Sequence, residues 1–260
     1  MKNKTLSVVK IGGNIIEDNV KLKSFLELFA RLQTPKILVH GGGKRATELG
    51  EQLGVTAQMV GGRRITDAQS LEIALMVYAG LINKNIVACL QAKGCNAIGL
   101  SGADGNSVFA HRRPVKEIDF GFVGDVDGVN NRTISALLNA GLVPVFCALT
   151  HDGQGQMLNT NADTIASEIA IGMSPLYTTI LYYCFEKQGV LRDKKDEDSV
   201  IRHIDTARYR ELLDSGTIAD GMLPKMENCF HALRQQVSRV CIGDDRMLQP
   251  GHTNFTTLSL

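Results

Sequence analysis

Lys10 sits in the run VVKIGGN (residues 8–14), flanked by Val8, Val9 and Ile11 and followed by two glycines. An unpaired ammonium inside a buried strand is costly. Either its stem packs while its head reaches the sheet edge, or it meets an anion. Three other places in the chain supply partners for the second reading. HGGG (40–43) ends an apolar run and opens a helical stretch. Glycines at a helix start let backbone N–H groups close on an anion that the helix dipole also favours. In NTNADT (159–164), Asn161 is placed to cap a helix, which puts Asp163 in its first turn, where a carboxylate is stabilised. In GMLPK (221–225), Pro224 suits the first helical position and leaves Lys225 in the first turn. A cation there opposes the dipole by roughly a few tenths of a kcal/mol and makes better sense beside an anion. Two lysines, two groups of glycines, a carboxylate and the pair Asn159 and Asn161 suit phosphoryl transfer by positioning and charge neutralisation.

Rival motifs fit less well. HGGG lacks the P-loop's Ser/Thr, since Lys44 is followed by Arg45, and it is not the G-x-G-x-x-G of a dinucleotide site, since no acidic ribose ligand follows a matching glycine spacing. As an esterase oxyanion loop it needs a nucleophile elbow leading into a helix. The nearest candidate, GLSGA around Ser101, runs into the turn residues ADGN.

The elements that must position these residues alternate as in a parallel sheet covered by helices. Strands are predicted at 6–13, 36–40, 143–149 and 178–185, with a strand running into a turn over 95–105, short strands in NSVFAHRR and FVGDVDGVN and a final one in SRVCIGD. Helices are predicted at 20–33, 41–54, 133–142 and 161–173, in DTARYRELLDSG and LPKMENCFHALRQQV, and from an Asp67 cap through the eighties. QMVGGRRIT (58–66) reads as a hairpin and RDKKDEDS (192–199) as a solvated loop. The fold class is α/β. MSP at 173–175 breaks a helix and sets a division between residues 1–173 and 174–260.

With 260 residues, 44% hydrophobic, and 28 basic against 27 acidic side chains, the chain can bury a full core and carries no basic excess for nucleic acid. The six cysteines form no C-x-x-C pair, which fits buried thiols in a reducing cytoplasm rather than a disulfide framework or a zinc site. The start has no signal-peptide core, and no uninterrupted apolar run reaches the length of a membrane span.

In order and spacing, KIGG (10–13), HGGG (40–43), GGRRIT (61–66), GLSGADG (99–105), NTNAD (159–163) and GMLPK (221–225) resemble the amino acid kinase family and, within it, the acetylglutamate kinase branch, over nearly the whole chain. The resemblance implies an open three-layer αβα sandwich with a mainly parallel central sheet. It implies an N-terminal lobe for acylglutamate binding and dimerisation and a C-terminal lobe for ATP. The implied reaction is phosphorylation by MgATP of the side-chain carboxylate of an N-acyl-glutamate, acetyl or succinyl, in arginine biosynthesis. Lys10 and Lys225 would neutralise the transferring phosphoryl oxygens and Asp163 would orient them. Gly12, Gly13, Gly42 and Gly43 would supply backbone donors, Arg64 would grip the substrate α-carboxylate, and Asn159 and Asn161 would help hold the acylated glutamate. Mg2+ would travel with the nucleotide, with no protein metal site. Another carboxylate or carbamate kinase of this fold, and a non-catalytic nucleotide or amino-acid sensor, are the alternatives.

The sequence departs from the family in two places. Where the ATP-lobe strand usually ends in a Ser/Thr-Asp pair, a short turn and a glycine, this chain has Phe185, Glu186 and Gly189. The carboxylate is kept on a longer arm and the hydroxyl is lost. Arg63 stands beside Arg64 where the family usually carries an apolar residue; it is either a solvent-facing arginine or a cation for an acyl group with its own carboxylate. Members inhibited by arginine carry an extra N-terminal helix that joins dimers into hexamers. Only a few residues precede the first strand here, so a homodimer with little arginine inhibition is expected.

Overall fold

Leu6, Val8, Val9 and Ile11 are all fully buried, so successive side chains on both faces of their strand meet packed neighbours. Such a strand belongs in the middle of a sheet covered on both sides. The computed structural model describes residues 4–61, 63–193, 195–218 and 222–260. Gly62 of GGRRIT, Gly221 of GMLPK and the first three residues of the chain lie outside the described residues.

In chain order the elements begin with β1 (Thr5–Ile11), α1 (Gly13–Glu17), α2 (Asn19–Arg31), β2 (Lys36–His40) and α3 (Gly43–Gln52). The hairpin β3 (Gln58–Val60) and β4 (Arg63–Ile65) precedes α4 (Ala68–Ala74), a π-helical stretch Leu75–Ile82 and α5 (Asn83–Gln91). Next come β5 (Ala97–Leu100), β6 (Val108–Arg112), β7 (Gly124–Val129), α6 (Asn131–Asn139), β8 (Val143–Cys147), β9 (Leu149–His151), β10 (Met157–Asn159) and α7 (Ala162–Met173). The chain finishes with β11 (Thr178–Cys184), β12 (His203–Ile204), α8 (Thr206–Asp214), α9 (Leu223–Arg234), β13 (Arg239–Gly243) and β14 (Thr256–Leu258).

Eight strands form the main sheet in the order β12-β14-β13-β11-β1-β2-β8-β5. All its pairings are parallel except β13 with β14. This is the three-layer α/β architecture. Because β1 pairs β2 on one side and β11 on the other, the sheet runs without a break across residue 173. A second sheet, β10-β9-β6-β7, and the β3–β4 hairpin lie beside the N-terminal half. The 143–149 run is therefore not one strand. β8 leaves the main sheet after Cys147, and Leu149 starts β9 in the second sheet. β12 and β14 escape sequence reading because two or three residues show no periodicity.

The helical span Ala68–Gln91 is long and apolar enough to cross a membrane by length and composition. In the structure Leu71, Ile73, Val77, Ile86 and Leu90 are buried in the same core as β1 and β2. Its apolar excess is thereby accounted for as core packing. Met76 and Leu81 remain about half exposed, at 53% and 45%.

Candidate active site

Parallel strands end at one edge, and loops leaving that edge bring distant residues together. β1 ends in Lys10 and Ile11 and β2 in His40, in direct register (Ile11 with His40), so the first and second glycine groups leave side by side. Gly13 opens α1 and Gly43 opens α3. A cavity of about 490 Å³ lies above them, lined by Lys10, Gly13, the three glycines 41–43, Arg63, Arg64, Asn159, Asn161 and Asp163, among others.

At one end of this cavity Asp163 is shared between two ammoniums. Its Oδ1 is 2.7 Å from Lys10 Nζ and its Oδ2 is 3.9 Å from Lys225 Nζ. Burial pushes the Asp163 carboxyl up, and the two lysines outweigh this and hold it below the usual carboxylate range. The anchor is local: Asn161 caps α7, accepting the Asp163 N–H at 2.7 Å, and the Tyr183 hydroxyl donates to the Asp163 carbonyl at 3.0 Å. Lys225 stands in the first turn of α9, as its proline-led motif predicts, with Nζ over the Tyr183 and Phe185 rings at 5.7 and 5.3 Å. Phe185, in the place of the expected hydroxyl, thus supports a lysine by cation–π attraction.

The HGGG loop is set by His40. Asn83 Nδ2 donates to the Val145 carbonyl at 2.9 Å and stands 3.0 Å from His40 Nε2. Nε2 must therefore accept, and the proton sits on Nδ1, which donates to the Gly41 carbonyl at 2.8 Å. In a trans peptide the C=O and the next N–H point oppositely, so this bond turns the Gly42 N–H away from the His40 ring. Burial pushes the His40 pKa down to about 4. An unfolded His40 takes up a proton below about pH 6.5 that the folded one refuses until about 4. Stability is thus fully present above the upper value and falls as pH drops through this window. From about pH 7 to about pH 5 this costs about 2 kcal/mol. Urea unfolding at both pH values checks it, and His40→Gln, which cannot titrate, should lose that share of the pH slope.

Gly42 has no room for a side chain, since a Cβ there would stand 2.5 Å from Ile82 Cδ1 and 2.8 Å from Tyr78 Cδ1. Arg64 faces this loop from β4 and donates through Nη2 to the Gly43 carbonyl at 2.9 Å and to Thr47 Oγ1 at 2.6 Å. Asn159 Nδ2 donates to Thr66 Oγ1 at 3.0 Å.

Gly12 and Gly189 each have a structural use. The Gly12 N–H is spent on the Cys184 carbonyl at 2.9 Å, so Gly12 joins β1 to β11 rather than offering a donor; Gly13, first in α1, keeps the exposed end of that turn. Gly189 lines neither the main cavity nor the smaller one beside Phe185. It is buried, and a Cβ there would meet Thr256 Oγ1 at 2.7 Å and Val200 Cγ1 at 2.8 Å. Its missing side chain serves packing under β14. Glu186 lines the smaller cavity, about 190 Å³, with Phe185, Lys21, Asp244 and Asp245.

Sequence reading missed Tyr78 and Arg113, which also line the main cavity. Tyr78 is buried, which pushes its phenol up and keeps it protonated. Its only signal was an aromatic inside an apolar helical run. Arg113 pairs with Asp125 through Nε and Nη2, at 3.1 and 2.5 Å from Oδ1, and nothing in its local sequence marks it.

The profile of the amino acid kinase family matches residues 5–244. An acetylglutamate kinase from Cytophaga hutchinsonii is 56% identical over 238 residues, covering 91% of this chain and 90% of that one. An acetylglutamate kinase from Bacteroides fragilis is 53% identical over 242 residues, covering 93% and 92%. Among solved structures, the carbamate kinase of Giardia lamblia bound to AMP-PNP has the same fold, with a TM-score of 0.71 at 12% identity and 98% coverage of both chains.

Proposed function

This chain belongs to the amino acid kinase family, and from that premise we propose that it transfers the γ-phosphoryl group of ATP to the side-chain carboxylate of an N-acyl-L-glutamate, in arginine biosynthesis. The observation that carries the reading is Asp163 holding Lys10 and Lys225 at the edge of a cavity framed by two glycine-led helix starts. The relatives at 53% and 56% identity support it by their names.

The chemistry follows from charge. A glutamate side chain, pKa about 4.3, is ionised at neutral pH and needs no general base. What opposes reaction is repulsion between two anions. A carboxylate oxygen attacks the γ-phosphorus, the O–P bond forms as the bridging bond to the β-phosphate breaks, and ADP leaves. Lys10 and Lys225 neutralise the oxygens between which charge moves, and Asp163 keeps the two ammoniums apart and aimed. Gly13, Gly42 and Gly43 present N–H groups that need no reorganisation during the step. Arg64 offers its remaining N–H donors to the substrate α-carboxylate, and Asn159 and Asn161 flank the acylated amine.

Mg2+, which supplies neutralisation of the β- and γ-phosphates, is carried with the nucleotide. Both Asp163 oxygens already face ammoniums, so this end of the site offers cations rather than a metal seat. ATP occupies the side formed by residues 174–260, near Phe185 and Glu186, and residues 1–173 hold the acylglutamate. The enzyme works in the cytoplasm as a homodimer. The half-exposed Met76 and Leu81 on the Ala68–Gln91 helical span are the apolar surface that supports pairing. Sedimentation velocity should give twice the chain mass, and Met76→Lys with Leu81→Lys should give the monomer.

The test of the function is a kinase assay with MgATP in which hydroxylamine traps the acyl phosphate. Hydroxamate that requires both ATP and the acylglutamate is the expected result. ATP binding without hydroxamate would instead make the chain a sensor.

A further inference from the structure

Beside the main cavity lies a second one of about 650 Å³, lined by Arg63, Arg113, Pro114, Lys116, Glu117, Ile118, Phe120 and Asp125. Arg63, Arg113 and Asp125 line both cavities. The wall between them is therefore built from two guanidiniums and one carboxylate.

Arg113 is the unusual member. Its Nε and Nη2 are used side-on by Asp125, and its guanidinium lies 5.3 Å from the Phe120 ring centroid. Nη1 is buried and has no hydrogen-bond partner among the described residues. A buried donor without an acceptor is destabilising, and natural structures rarely keep one unless something else satisfies it. Asp125 cannot, because Nε and Nη2 already claim it. That pairing, with burial opposing and Arg63 and His111 assisting, holds the Asp125 carboxyl below the usual range. Asp125 therefore stays an anion spoken for by Arg113, and among the described residues Arg63 adds a charge with no ion-pair partner at the same wall. The outer cavity adds Lys116 against Glu117, which cancel.

Resting on the acylglutamate reading, we propose that Arg113 and Arg63 form a subsite for a second carboxylate, carried at the far end of the substrate's N-acyl group. The substrate is then an N-dicarboxylic-acyl glutamate of the succinyl type. Arg113 gives the donor that orients this carboxylate, Asp125 fixes the Arg113 fork, and Arg63 supplies the net charge. Both residues determine specificity and neither touches the phosphoryl group. An acetyl group carries no carboxylate for this wall, so it leaves Nη1 without an anionic acceptor.

The experiment compares N-succinylglutamate with N-acetylglutamate on the intact protein, by calorimetric binding and by the hydroxamate assay. Wild type should bind the succinyl compound about 10- to 100-fold more tightly, the range of one charge-assisted hydrogen bond. Arg113→Lys keeps a cation for Asp125 and removes the fork; Arg63→Leu removes the second charge. Each should erase most of that preference while moving acetylglutamate binding less than about 3-fold, which also shows that the variant folds. Equal affinity of wild type for the two ligands, or equal losses for both in the variants, overturns the subsite. Binding and turnover separate the two claims: a succinyl preference in binding without hydroxamate supports the subsite and contradicts the kinase reading. Hydroxamate at equal rates and affinities does the reverse.

Discussion

Replacing Lys10 with Met should lower the rate of acyl-phosphate formation about 10²- to 10³-fold, the usual loss when one preorganised stabiliser of developing charge is removed. The effect is this large because Lys10 is held: its side chain is 13% exposed and its ammonium is 2.7 Å from Asp163, so no water or neighbouring side chain can take its place without rearrangement. Lys225, 3.9 Å from the other Asp163 oxygen, cannot cover both positions. The same substitution leaves a largely buried Asp163 with one partner, which should cost about 3 kcal/mol of stability. Rate and stability then come apart in the double variant. Lys10→Met with Asp163→Asn removes the orphaned charge and should recover most of the lost stability, and none of the rate. Single-turnover rates and urea unfolding on the three proteins check this. A Lys10→Met protein that is folded and nearly as fast as wild type would remove Lys10 from the phosphoryl site.

The second large effect is expected at Arg64. Nη2 is committed to the Gly43 carbonyl and to Thr47, so the guanidinium is held in one orientation, with its other N–H groups left for the proposed contact to the substrate carboxylate. Arg64→Met should raise the KM for acylglutamate about 10²-fold, with the KM for ATP unchanged, as expected for a lost charged contact to the substrate. Arg64→Lys keeps the charge without the fork and should fall between the two. Because Nη2 also props the glycine loop, a smaller fall in kcat accompanies the change. Steady-state kinetics in each substrate separates these contributions. A rise confined to the KM for ATP would place Arg64 on the nucleotide side.

Much of this site can be read from the sequence because its determinants are local. Asn161 caps α7 and fixes Asp163 within two residues; Asp67 caps α4 through the Ser70 N–H; and VVKIGG and KILVHGGG each state a buried strand and a glycine-led helix in one run. Long-range use of a group is what sequence reading misses. Whether the Gly12 N–H is free depends on Cys184, 172 residues further on in the chain. The packing of Gly189 against Thr256 and Val200 is equally long-range. Tyr78 and Ile82 crowd Gly42 from a helix whose π-helical stretch has no sequence marker. Arg113 becomes visible only when β6 and β7 pair, which sets Asp125 opposite His111 and within reach of the Arg113 side chain. The strand break at Ala148 is hidden for the same reason, since it depends on a second sheet assembled from segments that are each too short to show a period.

The proposed nucleophile is a substrate carboxylate held by these lysines and glycines. This is tested most directly by labelling the side-chain carboxylate of the acylglutamate with heavy oxygen and running the hydroxylamine-trapped reaction with unlabelled ATP. Hydroxylamine cleaves the acyl phosphate at carbon, so the bridging oxygen leaves with phosphorus. The expected product is inorganic phosphate carrying one labelled oxygen, formed in step with ADP and hydroxamate. Unlabelled phosphate accompanying ADP would mean that water was the acceptor, and the carboxylate kinase reading would fall.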